Sequence, residues 1–136
     1  MHRRLLICFL LVALVGCGGA PAAQVTGQSV ADAITAAGVV LGDIAPVPAE
    51  SAGQVPNTFT DRIQFSIPEV APKGGQVFVC ADKAKCDAIV AYYEALAALA
   101  GPYLYQSGGG RVVAQLNSGL TPETAAKVEA AIKALP

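Results

Sequence analysis

Apolar and polar positions along this chain follow two periods. Residues 61–68, "DRIQFSIP", alternate: Ile63, Phe65 and Ile67 face one way and Arg62, Gln64 and Ser66 the other. This is the period-two pattern of a strand with one buried side. "APKGG" at 71–75 supplies turn residues, and "QVFVCA" at 76–81 reads as a second strand, paired with the first as a hairpin. Behind Asp82, a good helix cap, Cys86, Ile89, Val90, Tyr93, Leu96, Ala97 and Ala100 recur at three- and four-residue steps. Lys83, Asp87 and Glu94 occupy the opposite face, and Gly101 and Pro102 stop the helix.

The same two periods return further on. "YLYQSGGGRVVAQLN" at 103–117 reads as a second hairpin with its tip at residues 108–110. The glycine run is not read as a phosphate-cradling loop, because no helix start follows it. Thr121 caps a final helix, Pro122 fills its first position and Glu123 complements the dipole. Ala125, Val128, Ile132 and Leu135 form its apolar stripe. Glu123–Lys127 and Glu129–Lys133 are four apart in the favourable order, each contributing about 0.3 kcal/mol.

Upstream, Ser29 is expected to cap a helix carrying Val30, Ala33, Ile34 and Ala37 on one face and ending near Gly38, with Asp32 as a short reciprocal capping acid. Residues 39–41 begin a short strand. Residues 42–60 hold Pro46, Pro48 and Pro56 with no sustained periodicity. They read as a surface loop or an edge strand, strand-like around Ile44 and Val47. The expected fold class is α+β, in the order α-β-β-α-β-β-α. Two hairpins make a four-stranded, mainly antiparallel sheet, and three helices pack on one face.

The first residues follow a different rule. His2, Arg3 and Arg4 form a basic head, and residues 5–15 are an unbroken apolar run. A membrane-spanning helix needs about 20 apolar residues, so this run reads as a secretory signal peptide. Leu14-Val15-Gly16-Cys17 closes it. That tetrad resembles the bacterial lipobox. The resemblance implies cleavage after Gly16, a diacylglycerol on the thiol of Cys17, and export with the domain facing the periplasm or the exterior. The lipid would anchor the chain to the cell membrane, or to an outer membrane where one exists. Two acyl chains anchor stably where one binds only marginally. Residues 1–16 are thus a lipoprotein signal peptide and 17–28, rich in small and polar residues, a flexible tether. Residues 29–136 make a single small domain.

Composition narrows the chemistry. The chain has 9 Lys and Arg against 10 Asp and Glu, and losing Arg3 and Arg4 makes it more acidic. No basic stripe is visible, which argues against a nucleic-acid partner. The only histidine is His2 and there is no tryptophan. The mature chain would lack imidazole, which removes Ser-His-Asp and Cys-His pairs and His-ligated metals. No cofactor is expected. With Cys8 and Cys17 in the leader and lipid site, Cys80 and Cys86 are left to form a disulfide in an oxidising compartment. Their spacing is not that of thiol oxidoreductases.

"GGQVFVC", "AYYEALAAL" and "VVAQLNSGLTPETAAKVEAAI" resemble segments of a loose group of small bacterial lipoproteins without assigned activity. The expected role is a tethered binding or accessory module without an evident catalytic site, acting on an envelope protein or a small ligand. Its candidate face is Tyr103, Tyr105, Arg111, Gln115 and Asn117, and tyrosine and arginine are favoured at hot spots. Register decides this. A three-residue tip groups the tyrosines with Val113 and Gln115; a four-residue tip groups them with Val112 and Ala114 and makes them core. The alternatives are a histidine-independent envelope enzyme using carboxylates, with Asp61, Glu69, Asp82 or Asp87 as candidates, or Tyr, and a purely structural envelope lipoprotein.

Overall fold

A computed structural model describes residues 24–136 of the chain. The leader, Cys17 and most of the tether lie outside the described residues. The elements run α1 (Gly27–Ala36), β1 (Gly42–Pro46), β2 (Phe59–Ser66), β3 (Gly74–Cys80), α2 (Lys83–Ala95), α3 (Ala97–Ala100), β4 (Tyr103–Gln106), β5 (Val112–Leu116) and α4 (Pro122–Lys133). Single 3₁₀ turns at Ala49–Ser51 and Pro68–Val70 punctuate the connections. No described helix is long and apolar enough to cross a membrane.

The five strands form one sheet in the order β1-β2-β3-β5-β4, antiparallel throughout. The class is α+β as expected, with five strands in place of four and four helices in place of three. The extra strand is β1, which contains Ile44 and lies inside the segment read as a surface loop or an edge strand. It pairs along the edge of β2, with Ala45 opposite Gln64 and Pro46 opposite Ile63, after a register shift between Gly42 and Ala45. Four of its five residues are exposed. A strand that buries neither face carries no alternation to read.

Helices cover both faces of the sheet, which corrects the expectation of a single covered face. On one side, Val30, Ala31 and Ile34 of α1 and Val128 and Ile132 of α4 pack against Ile63, Phe65, Val77, Val79, Val112, Ala114 and Leu116. On the other, Cys86, Ile89 and Tyr93 of α2 pack against Phe78, Cys80 and Val113. The reason is visible in β3 and β5: Val77 to Cys80 and Val112 to Leu116 are buried at every position. Strands buried on both sides read as continuous apolar runs rather than alternation.

Local chemistry sets the helix ends. α1 starts earlier than expected, because Thr26, not Ser29, is its N-cap. The Thr26 hydroxyl accepts from the Ser29 N–H at 3.1 Å, and the Ser29 hydroxyl accepts from the Thr26 N–H at 2.9 Å. Ser29 is therefore the reciprocal member of the capping box. Asp82 caps α2, accepting from the Lys85 N–H at 2.9 Å, and Thr121 caps α4. The expected single helix to Ala100 breaks at Leu96, whose N–H bonds to Tyr93 O in a tightened turn. Cys80 and Cys86 bring their sulfurs to bonding distance, 2.13 Å, and tie the end of β3 to the first turns of α2.

Candidate functional site

α2 and α3 cover only part of their sheet face. The uncovered part is built from a cross-strand row. Gln64 of β2 stands opposite Gln76 of β3, and Gln76 opposite Gln115 of β5. Antiparallel pairing puts such partners on one face, their Cβ atoms about 5 Å apart. Beside this row lie Ser66, Gly74 and Asn117. Together they floor an open cleft of about 390 Å³, with Asp43, Pro72 and Lys73 at its rim.

The floor is hydrogen-bonded in one direction. Arg62 donates twice to Gln76 Oε1, from Nε at 3.1 Å and Nη2 at 2.6 Å. A guanidinium only donates, so this oxygen orients the Gln76 amide. Its nitrogen then donates to the Tyr93 hydroxyl oxygen at 2.5 Å and to Gln115 Oε1 at 2.9 Å. Gln115 in turn donates to the carbonyls of Ala100 at 2.6 Å and Leu116 at 2.8 Å. The chain of donors runs from β2 across the sheet into α3. On the rim, Ser66 donates to Asp43 at 2.8 Å, and Asn117 accepts from the Gly74 N–H at 3.1 Å. Asp43 holds φ at 47°, in the left-handed region that Asp tolerates better than most residues.

Arg62 is the unusual member. It is 6% exposed, and Nη1 is buried with no hydrogen-bond partner among the described residues. Its guanidinium carbon lies 5.1 Å from the Phe78 ring centre and 6.0 Å from that of Phe59, both within cation–π range. The ion pairs among the described residues are Lys83–Asp87, Lys127–Glu123 and Lys133–Glu129, so no carboxylate neutralises Arg62 there. Burial lowers the pKa of Arg62, with the nearby Tyr93 and Tyr92 hydroxyls acting in the opposite sense. Burial likewise raises the pKa of Tyr93, opposed by the adjacent Arg62 charge.

The five candidate face residues do not form one surface. β4 pairs with β5 so that Tyr103 opposes Leu116 and Tyr105 opposes Ala114. This is the register of the four-residue tip, and it turns both tyrosines toward the core beneath α4. The Tyr103 hydroxyl donates to Leu120 O at 3.1 Å. Gln115 lies on the opposite face, 4% exposed, inside the donor chain. Asn117 lines the cleft. Arg111 is exposed at the hairpin tip, with Nε donating to Cys80 O at 3.3 Å. The structure thus brings Gln115 and Asn117 together and separates them from Tyr103, Tyr105 and Arg111.

The four candidate acids are scattered. Asp61 accepts from the Gly27 N–H at 2.6 Å, Glu69 accepts from Thr121 and Thr124 at the start of α4, and Asp82 caps α2. Asp87 binds Lys83 at 2.7 Å and Gln106 at 2.9 Å. Among the described residues, no three His, Cys, Asp or Glu side chains gather where they could hold a metal ion. Sequence reasoning missed Arg62, Gln64 and Gln76 as a site. The signal was present: polar residues on the second face of two strands whose first face is apolar. No protein-family model matches the chain, and neither a curated protein nor a solved structure is detectably similar to it.

Proposed function

We propose that this protein is an exported lipoprotein, anchored through a diacylglycerol on Cys17, that binds a small polar ligand in the amide-floored cleft. The observation that carries the binding reading is the row Gln64, Gln76 and Gln115, with Ser66 and Asn117 beside it. Amides and hydroxyls neither ionise near neutral pH nor act readily as nucleophiles, but each both donates and accepts hydrogen bonds. A floor of such groups suits recognition, with the ionisable Asp43 and Lys73 confined to the rim. Its volume of about 390 Å³ falls within the range of small-molecule sites. The anchor reading rests on the basic head, the short apolar run and Leu14-Val15-Gly16-Cys17.

Each half has its own test. In the source cell, Cys17→Ser should move the protein from the membrane fraction to the soluble fraction; continued membrane retention refutes the lipid anchor. For the cleft, ¹⁵N-labelled protein is titrated with a panel of small polar solutes, following the side-chain amides of Gln64, Gln76 and Asn117 by NMR. Saturable shifts confined to these amides and their neighbours support the site. Shifts that stay flat across the panel, or that gather elsewhere, refute it.

A further inference from the structure

We infer that the ligand of this cleft carries a carboxylate, and that Arg62 receives it when the Gln76 side chain swings aside. The inference rests on the cleft being the binding site. A buried charge is stabilised by an opposite charge or by a full set of hydrogen bonds. Arg62 has neither among the described residues. Its Nε and Nη2 hydrogens converge on one neutral oxygen, Gln76 Oε1, and its Nη1 has no partner. Two parallel N–H groups aimed at a single amide oxygen are the fork that a carboxylate fills with two oxygens.

Position supports the same assignment. Gln76 lines the cleft, whereas Arg62 lies behind it and does not. Gln76 is only partly buried and borders the open cleft, so the swing requires its bonds to Arg62, Tyr93 and Gln115 to be exchanged. It stands between ligand and cation as an internal stand-in, presenting the acceptor that a carboxylate would replace. The second cation at the site is Lys73, exposed on the rim. The one carboxylate there, Asp43, is engaged by the Ser66 hydroxyl. In a chain with an acidic balance, two cations, Lys73 on the rim and Arg62 behind the floor, thus stand around a cleft with one acid, Asp43. The phenyl faces of Phe59 and Phe78 hold the guanidinium in place while its partner is exchanged.

The test uses two probes of the same shape, N-acetylglycine and N-acetylglycinamide, titrated into the wild-type protein at matched ionic strength. NMR follows the Arg62 Nε–H and the side-chain amides of Gln64 and Gln76. The acid should bind about tenfold more tightly, as expected from the larger net worth of a hydrogen bond to a charged group, and should move the Arg62 Nε–H. Gln76→Ala, which removes the stand-in, should lower the melting temperature, and N-acetylglycine should restore it while the amide does not. Equal binding of the two probes at the cleft, with Arg62 unmoved, overturns the carboxylate assignment and leaves the cleft reading intact. A preference for the acid that moves only the Lys73 resonances also overturns it, placing the charge recognition on the rim. Absence of any shift at the cleft overturns both.

Discussion

Reducing the Cys80–Cys86 link should weaken the fold by an amount that the chain itself sets. The two residues are six apart in sequence, and both are fully buried between β3 and α2. In the chain-entropy description, a link closing so short a loop removes only modest freedom from the unfolded chain, worth about 2 kcal/mol. That is roughly a 30-fold change in the folding equilibrium. It corresponds to a shift of about 1 M in the urea midpoint, or of about 10 °C in melting temperature. The assay is urea unfolding of the purified protein with and without dithiothreitol, read by circular dichroism, with the Cys80→Ala/Cys86→Ala double variant as a second measure. The slope of the transition should stay nearly constant. Coincident curves would refute the entropic argument. A loss well above 4 kcal/mol would refute it in the other direction, because the native packing of α2 on Phe78 would then depend on the link itself.

Three other substitutions probe separate parts of the structure. Phe78→Ala, at a fully buried ring between Phe59 and Tyr93, should cost about 3–5 kcal/mol by equilibrium unfolding; a loss under 1 kcal/mol would mean that the α2 side is not a packed layer. Gly75→Ala would place a Cβ 2.6 Å from Leu116 Cδ2 and 2.7 Å from Gln115 O. It should destabilise by about 1–3 kcal/mol and shift Gln115, whereas a neutral result would show that β3 and β5 can move apart freely. The pKa of Glu69 is lowered chiefly by the Thr124 hydroxyl and then by the Thr121 N–H. Its contribution is therefore complete above the ordinary glutamate pKa and is lost as pH falls through the lower folded value. Glu69→Gln should flatten the acid side of the stability profile, and an unchanged slope would show that this carboxylate does not respond to folding.

Much of the fold can be read from residue order, and the exceptions share a cause. β2 was legible because Ile63 and Phe65 bury one side, but its polar side is only partly open: Gln64 is exposed while Arg62 and Ser66 are buried. α4 was legible because Thr121, Pro122 and its apolar stripe are local signals. β1 was legible only as the edge-strand alternative around Ile44, because its exposed side chains record no burial. The second covered face was written in the unbroken apolar run at 77–80 and the run at 112–114, which a search for alternation overlooks. The placement of Tyr103 and Tyr105 turned on one residue of hairpin length, since a single step in register exchanges the faces of a strand. The cleft needs three strands brought side by side, and Arg62, Gln76 and Gln115 are too far apart in sequence for any spacing rule to join them.

β1 is one of the two edge strands of the sheet, the other being β4. An open sheet edge is a template on which another chain can add its own backbone, the first step toward fibrous aggregates. β1 interrupts that template twice: its ladder is out of step between Gly42 and Ala45, and it ends at Pro46, which has no N–H to offer. Under the proposed N-terminal lipid anchor, copies would meet on a membrane at high local concentration. On this side of the sheet, an edge broken in this way would give a neighbouring copy little to pair with.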